Sequence, residues 1–408
     1  MSEAMNASMG APPRLAVDGL LDDPRTRIIV CCGAGGVGKT TTAAALGVRA
    51  AERGRKVVVL TIDPARRLAQ SMGIDSLDNT PRKVSGVSGD GGELHAMMLD
   101  MKRTFDEIVE GHSDPERAQA ILANPFYQSL SAGFAGTQEY MAMEKLGQLR
   151  SRDDWDLIIV DTPPSRSALD FLDAPGRLGS FLDGKFIRVL MAPAKVGGRA
   201  GMKFLNVGMS MMTGTLSKLM GASLLKDVQT FVAAMDTMFG GFRTRADATF
   251  QLLQAPGTAF LVVAAPEADA LREAAYFVER LAAERMPLAG LVLNRVHGSG
   301  ADQLSAERAL AAAENLEDGG IVDQESGNAG LHDTDSDADV DEITAGLLRL
   351  HAERMQVIAR EQRTRDRFTS LHPEVAVAEV AALPGDVHDL AGLRAIGERL
   401  AAGVPAGA

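Results

Sequence analysis

Short apolar runs alternate along this chain with longer segments whose apolar residues recur at helical spacing. Three runs, at 28–30, 57–60 and 157–160, are apolar without alternation, as expected of strands that are buried on both faces. The runs predict seven strands, at Arg27–Cys32, Lys56–Asp63, Leu94–Leu99, Asp156–Asp161, Ala259–Ala265, Leu288–Val296 and Val375–Ala381. Helices predicted at Thr40–Arg53 and Leu390–Ala401 would cover this sheet. We therefore expect an α/β fold with a doubly wound, mostly parallel sheet.

Two long stretches, 101–150 and 184–253, show helical patterns but contain no good strand. We expect them to form a helical subdomain that is inserted into the sheet domain. The second stretch is rich in methionine, whose flexible thioether suits a groove for varied apolar partners. Packing in an ordinary core or dimer interface explains the same methionines, so both interpretations stay open. The residues concerned are Met202, Met209, Met211, Met212, Met220, Met235 and Met238.

One strongly acidic segment lies between Glu314 and Glu342, with eleven acidic residues, four glycines and no Lys or Arg. Its shortage of large apolar residues predicts a disordered surface insertion over 314–342. We divide the chain into a flexible N-terminal segment over 1–25, a main domain over 26–402 that includes the helical subdomain and this acidic insertion, and a short tail over 403–408.

The net charge of −12 is carried almost wholly by that acidic segment. The rest of the chain lacks the basic stripe of a nucleic-acid binder, so we expect no nucleic-acid partner. No stretch reaches the roughly 18 apolar residues of a membrane span, and the N-terminus lacks the basic start and apolar run of a signal peptide. The adjacent Cys31 and Cys32 cannot form a disulfide framework or a spaced metal site. We expect a cytoplasmic protein.

The full phosphate-loop pattern is matched by Gly33-Ala34-Gly35-Gly36-Val37-Gly38-Lys39-Thr40. This segment directly follows one predicted strand and directly precedes a predicted helix. Its glycines let backbone N–H groups converge on phosphate oxygens at a helix N-terminus, whose dipole favours anions. The pattern assigns Lys39 to the β- and γ-phosphates and the Thr40 hydroxyl to Mg²⁺, and Thr41 extends the nucleotide-binding run. The motif predicts a P-loop NTPase that binds Mg-ATP.

Two carboxylates stand at the ends of predicted strands. Asp161 follows an apolar strand, and a carboxylate there lies beside the phosphate loop in such folds and can hold Mg²⁺ through water. Asp63 ends another strand and can orient the water that attacks the γ-phosphate. If the chain had no phosphate loop, each of these two carboxylates would be interpreted as an ordinary cap or turn residue. We predict that Asp161 and Thr40 bind the metal and that Asp63 and Lys39 act in catalysis.

The order of these motifs resembles that of the ArsA-type ATPases, which include the arsenite-pump ATPase and the ATPases that deliver tail-anchored membrane proteins. The motifs are the loop with Thr41, then Asp63-Pro64-Ala65, then Asp161-Thr162-Pro163-Pro164-Ser165. Further on, Leu293-Asn294-Arg295 resembles the family's adenine-contacting strand end, and Leu383-Pro384-Gly385-Asp386-Val387 resembles its late adenine loop. The resemblance covers most of the chain and implies that Asn294 and Pro384 bind adenine.

The resemblance also implies a dimer that closes around ATP, with Asp63 in the first switch and Asp161 opening the second. Three features depart from the family pattern. Ala34 replaces a lysine that usually reaches the partner's phosphates, and Arg166-Ser167-Ala168 replaces the usual Gly-His-Thr. The paired cysteines that hold a zinc at the homodimer interface of eukaryotic relatives are missing, as are separated cysteines for arsenite.

We interpret the chain as an ArsA-like ATPase that handles an apolar client, such as a segment of a membrane protein. One alternative is a regulatory subunit that binds ATP with little turnover, because Ala34 supplies no cation. Another is a ParA- or MinD-like positioning ATPase, although these usually keep the lysine. A heterodimer with a lysine-bearing homologue would restore the cation, whereas in a homodimer Arg166 is the candidate substitute.

Overall fold

A computed structural model of the protein describes residues 12–63, 67–87, 89, 91–125, 127–128, 137–163, 244–322 and 334–402. The methionine-rich stretch, Arg166 and most of the second predicted helical stretch lie outside these ranges. Within the described ranges, no helix combines the length and apolar character that crossing a membrane requires.

Eight strands within the described residues form one sheet. They are β1 (Ile28–Cys32), β2 (Lys56–Thr61), β3 (Arg82–Lys83), β4 (Glu93–Met98), β5 (Leu157–Asp161), β6 (Thr258–Ala264), β7 (Leu288–Val296) and β8 (Val377–Ala381). Their order in the sheet is β3-β4-β2-β5-β1-β6-β7-β8. Every neighbouring pair is parallel except β3 with β4.

Helices connect and cover these strands. The described helices are α1 (Val17–Asp22), α2 (Lys39–Glu52), α3 (Arg67–Ser71), α4 (Met101–His112), α5 (Pro115–Leu122), α6 (Thr137–Ser151), α7 (244–254), α8 (Ala268–Ala283), α9 (Ala306–Val322), α10 (Thr334–Leu371) and α11 (Leu390–Ala402). Carboxylates cap two of them, since Asp100 accepts from the backbone N–H of Arg103 and Asp114 accepts from that of Arg117.

The predicted α/β fold with a mostly parallel sheet is confirmed. All seven predicted strands are present, each with ends within two residues of the prediction. The eighth strand, β3, was not predicted because its two residues, Arg82 and Lys83, are charged and exposed and leave no apolar signal.

Strand β1 shows how the sheet is buried on both faces. Ile28, Val30 and Cys32 pack into the layer that includes α4, α6 and α8. Ile29 and Cys31 pack into the opposite layer, which includes α2 and α11. Because β5 and β6 flank β1 on its two sides, the carboxyl end of β1 is fixed in the middle of the sheet edge. Parallel sheets of this kind bind ligands at that edge.

The N-terminal segment differs from the predicted flexible region over its described part, 12–25. Its backbone pairs with Val377 of β8. Asp18 and Asp22 of α1 form ion pairs with Arg49 and Arg53 of α2. Its buried apolar residues are Leu15, Val17 and Leu21. Proline and aspartate dominate the composition of this segment and obscured the three apolar residues that anchor it.

The acidic segment also differs from the predicted disordered insertion. Residues 314–322 belong to α9 and residues 334–342 belong to α10, while 323–333 lie outside the described residues. The two helices pack side by side, and Arg349 of α10 bonds to Glu317 of α9 at 2.5 Å. An acidic composition does not exclude a helix, because a helix tolerates many acidic side chains when they face water.

Candidate functional site

The phosphate loop joins β1 to α2 at the carboxyl edge of the sheet. Three of its glycines have positive φ angles, 148° at Gly33, 78° at Gly36 and 95° at Gly38, which residues with side chains rarely adopt. A Cβ at Gly33 would lie 2.1 Å from the carbonyl oxygen of Val263, and one at Gly38 would lie 2.2 Å from Nδ2 of Asn294. The positive φ angles therefore favour glycine at positions 33 and 38, and at position 33 the backbone of Val263 also leaves no room for a Cβ.

Lys39 begins α2 and is only 6% exposed. Its Nζ donates a hydrogen bond of 2.7 Å to the carbonyl oxygen of Ala34 in the same loop. Burial lowers the pKa of Lys39, while the charges of Asp161 and Asp63 act in the opposite direction. The ammonium is therefore held inside the curve of the loop, next to two carboxylates.

Asp161 is a fully buried carboxylate at the end of β5. Its Oδ2 accepts hydrogen bonds from Thr40 Oγ1 at 2.8 Å and from Thr61 Oγ1 at 2.9 Å. The strand register explains this cluster, because Asp161 lies opposite Thr61 on one side and Cys31 on the other. Its Oδ1 is buried and has no hydrogen-bond partner among the described residues.

The electrostatic state of Asp161 fits a cation site. Burial raises its pKa from 3.8 to about 6, and the hydrogen bonds from Thr40 and Thr61 and the charge of Lys39 only partly offset that rise. A buried carboxylate with one oxygen unpaired is unfavourable, and a cation would relieve that cost. Carboxylate and hydroxyl oxygens suit Mg²⁺, which usually takes its other ligands from water and phosphate.

No cluster of three or more His, Cys, Asp or Glu side chains suited to a metal occurs in the described part of the chain. An ion beside Thr40 and Asp161 would therefore have few protein ligands, as is usual for Mg²⁺ bound together with a nucleotide. Cys31 and Cys32 are both buried, and burial raises the pKa of each thiol. The two cysteines are core residues, as their apolar surroundings indicate.

Asp63 lies two residues beyond β2 and lines the same cleft as Lys39. Its backbone N–H donates to Thr61 Oγ1 at 3.2 Å. Because the same hydroxyl donates to Asp161, Thr61 links the two carboxylate-bearing segments. The structure thus brings Asp63, Asp161 and Lys39 to one edge of the sheet.

A cleft of about 930 Å³ opens at the phosphate loop and extends toward the ends of β7 and β8. A volume of this size falls within the usual range for ligand pockets. The part of the cleft beside the phosphate loop is lined by Gly36, Gly38, Lys39, Thr40 and Thr41. Within the loop, Ala34 and Val37 are buried and Gly35 is exposed.

The two predicted adenine contacts, Asn294 and Pro384, both line this cleft. Asn294 is only 7% exposed, and its Nδ2 donates to the carbonyl oxygen of Val37 at 2.8 Å. This side chain therefore also braces the phosphate loop, a contact that the sequence did not predict.

Sequence reasoning missed several residues of the cleft. Arg295 has a left-handed φ of 62° at an irregularity of β7 between Asn294 and Val296, and it lines the cleft. His297 also lines it and is held by Glu361 of α10, at 2.6 Å between Nδ1 and Oε1. The other missed lining residues include Arg67, Gln70, Ser71 and His388. Arg295 belongs to the Leu293-Asn294-Arg295 motif but received no role of its own, and His297 directly follows the end of β7.

Comparison with known proteins gives consistent matches. The family profile described as anion-transporting ATPase matches residues 26–317. ATPase GET3 of Malassezia globosa is 32% identical over 167 residues, which cover 41% of this chain and 47% of the relative. ATPase GET3 of Podospora anserina is 26% identical over 71% of this chain and 80% of the relative. ATPase ASNA1 homolog 2 of Paramecium tetraurelia is 24% identical over 68% of this chain and 78% of the relative.

Proposed function

Because the chain belongs to the anion-transporting ATPase family, we propose that it binds Mg-ATP at its phosphate loop and hydrolyses it. The observation that carries this proposal is the cluster of Lys39, Thr40 and Asp161 at the base of the cleft. The ammonium, the hydroxyl and the carboxylate match the three polar groups that such a reaction requires beside the loop backbone.

Each group has a distinct task in this proposal. The backbone N–H groups of the loop and the start of α2 bind the phosphate oxygens. Lys39 has two further ammonium N–H groups besides the one bonded to Ala34, and these would contact the β- and γ-phosphates, while Thr40 and Asp161 would hold the Mg²⁺. The ion, when bound, neutralises charge that develops on the β- and γ-phosphate oxygens. Asp63 orients the attacking water from its position at the cleft wall.

We further propose that two subunits close around ATP and that closure controls the binding of an apolar client. The resemblance to ATPases that deliver tail-anchored membrane proteins supports a client of this kind. Helices α4 to α7 belong to the stretches that we assign to the client-handling subdomain. Their described parts are helical, which supports that assignment.

Residue 34 bears on the choice of partner. Ala34 is uncharged and only 8% exposed, so it cannot supply the cation that related subunits extend to the partner's ATP. A homologue with lysine at this position would place that cation at this chain's own ATP. Such a cation can contribute about 10³–10⁵ in rate. The same alanine favours a second candidate function, a regulatory subunit that holds ATP with little turnover.

The phosphate-loop assignment is tested by titrating ATP into the protein with and without Mg²⁺. Lys39→Ala is expected to lose tight binding, because it removes the fixed cation beside the loop. Lys83→Ala is the matched control, since Lys83 is exposed on the edge strand β3. Unchanged affinity in Lys39→Ala would show that the phosphates bind elsewhere.

The partner assignment is tested by the rate of ATP hydrolysis of the chain alone. Low turnover that rises with Ala34→Lys, or with a lysine-bearing homologue, supports the heterodimer. High turnover of the unmodified chain that is lost in Arg166→Ala would instead favour a homodimer in which Arg166 supplies the cation. Tight ATP binding with no turnover under any of these conditions would favour the regulatory subunit.

A further inference from the structure

The short segment after β7 is fixed to α10 at three points. Oε2 of Glu361 accepts a hydrogen bond of 2.9 Å from the backbone N–H of His297, and Oε1 of the same carboxylate lies 2.6 Å from ring Nδ1. Nε of Arg354 donates to the carbonyl oxygen of Gly298 at 2.6 Å. Because Glu361 holds both the backbone and the ring of His297, the position and the orientation of this side chain are fixed at the cleft that it lines.

The carboxylate of Glu361 also determines the tautomer of this histidine. An ionised carboxylate only accepts hydrogen bonds, so Nδ1 must carry a proton. In a neutral ring the other nitrogen, Nε2, is then an acceptor. No described residue bonds to Nε2, and the side chain of His297 is 42% exposed. Position 297 therefore presents an unused hydrogen-bond acceptor whose character depends on α10.

The ring of His297 separates two cavities. Glu361 lines a small cavity beside α10 and does not line the cleft, whereas His297 lines both. The bond to Glu361 therefore lies on the cavity side of the ring. Nε2 belongs to the opposite edge of the imidazole, so the acceptor is available to a ligand in the cleft.

The direction of the cleft determines which part of a bound nucleotide meets this acceptor. When the phosphates lie at the phosphate loop, the sugar and the base extend toward the ends of β7 and β8, where Asn294, His297 and Pro384 line the cleft. Adenine carries an amino group at its six-position, whereas guanine carries an oxygen there. An acceptor at the six-position bonds to the amino group and repels the oxygen.

We propose that Nε2 of His297 contacts the six-position of the purine and selects adenine over guanine. Glu361 is the positioning residue for this contact, because it holds the ring in the tautomer that accepts. The inference rests on the proposed binding of a nucleotide at the phosphate loop. It makes α10, a helix far along the chain from that loop, part of the choice of base.

Glu361→Gln reverses the tautomer with little change in shape. The amide of glutamine offers one oxygen and one NH₂ group, and the backbone N–H of His297 requires the oxygen. The NH₂ group then faces Nδ1, which must accept, so the ring proton moves to Nε2. The ring now presents a donor to the cleft, which bonds to the oxygen of guanine and not to the amino group of adenine. Glu353→Gln is the matched control, because Glu353 is exposed on the same helix and loses the same charge.

Titrations of Mg-ATP, Mg-GTP and Mg-ITP at pH 8 test the selection. ITP has the six-position oxygen of GTP but lacks its amino group at position two, so a clash of that amino group cannot explain weak binding of ITP. The unmodified protein and Glu353→Gln should bind ATP at least about tenfold more tightly than GTP or ITP, and Glu361→Gln should reduce this preference at least about tenfold.

The outcomes of these titrations separate the inference from the function on which it rests. Equal affinity of the unmodified protein for ATP and ITP would overturn the inference and leave the nucleotide site in place. A preference for ATP that Glu361→Gln leaves unchanged would overturn it as well. If none of the three nucleotides bound, the proposed function and the inference would fail together.

Nitrogen NMR of protein labelled at its seven histidines tests the tautomer directly. The ring signals of His297 are those that disappear in His297→Gln. The ring proton should lie on Nδ1 in the unmodified protein and in Glu353→Gln, and on Nε2 in Glu361→Gln. A proton on Nε2, or on both nitrogens, in the unmodified protein at pH 8 would overturn the inference. A loss of the preference in Glu361→Gln without a change of tautomer would assign Glu361 a merely structural role, which also contradicts it.

Discussion

Replacing Asp161 with asparagine should stabilise the protein in the absence of nucleotide and Mg²⁺. The carboxylate is fully buried, and one of its oxygens has no hydrogen-bond partner among the described residues. Asparagine has nearly the same shape, and its Oδ1 can still accept from Thr40 and Thr61. The substitution therefore removes a desolvated charge while keeping the two hydrogen bonds.

The pKa of Asp161 sets the size and the pH range of the effect. Folding raises that pKa from 3.8 to about 6, so the native state binds the proton more tightly than the unfolded state does. Above pH 6 the ionised carboxylate destabilises the native state by up to about 3 kcal/mol. This penalty decreases as the pH falls from 6 toward 3.8 and is absent at lower pH. Asp161→Asn should therefore gain stability at pH 8 and gain little near pH 4.

Urea unfolding at pH 8 and near pH 4, with a chelator present, measures this difference. Asp18→Asn is a control for which the opposite change in stability is expected, because the hydrogen bond from Arg49 lowers the pKa of Asp18. That variant should lose stability at pH 8. The reasoning would be refuted if Asp161→Asn were no more stable than the unmodified protein at pH 8. Added Mg-ATP should stabilise the unmodified protein much more than Asp161→Asn, because the variant lacks the carboxylate that holds the ion.

Three further substitutions test other parts of the structure. Asp63→Asn should keep ATP affinity and lower the turnover rate, since orienting water acts on the chemical step; a parallel loss of affinity in the titration would assign Asp63 to the metal instead. Gly38→Ala should weaken ATP binding at least about tenfold in the same titration, because the new Cβ meets Asn294 and because the φ of 95° is unfavourable for alanine. Full affinity in this variant would mean that the loop adapts to the new side chain. Leu21→Ala should lower the free energy of unfolding by about 2–5 kcal/mol, because Leu21 is fully buried. Leu371→Ala should change it little, because Leu371 is exposed. Equal effects of the two substitutions in urea unfolding would contradict the anchoring of α1.

The sequence predicted those parts of the protein in which local pattern and tertiary environment agree. The apolar run at 57–60 can only be stable between two covered faces, and β2 lies there. The glycines at 33 and 38 indicated a loop that curves around an anion, and the structure gives both of them positive φ angles. In each case, the pattern that allows the prediction lies within a few positions of the chain, even where distant residues add further constraints.

The sequence was less informative where the partner of a residue lies far along the chain. Thr61 is an ordinary strand residue until the register of β2 and β5 brings its hydroxyl to Asp161. His297 gains its fixed position from Glu361, 64 residues later. The flanks of the acidic segment form helices because α9 and α10 support each other, and composition alone does not reveal such pairing.

The hydrogen bond from Lys39 to the carbonyl oxygen of Ala34 has a consequence for ligand affinity. A lysine ammonium has three N–H donors, and this bond uses one of them. A nucleotide can therefore engage the ammonium while the bond to the loop persists. The bond uses only the backbone of residue 34, so a change of side chain there leaves it in place. The empty loop thus already restrains the lysine side chain, and the nucleotide is spared part of the entropy cost of ordering it.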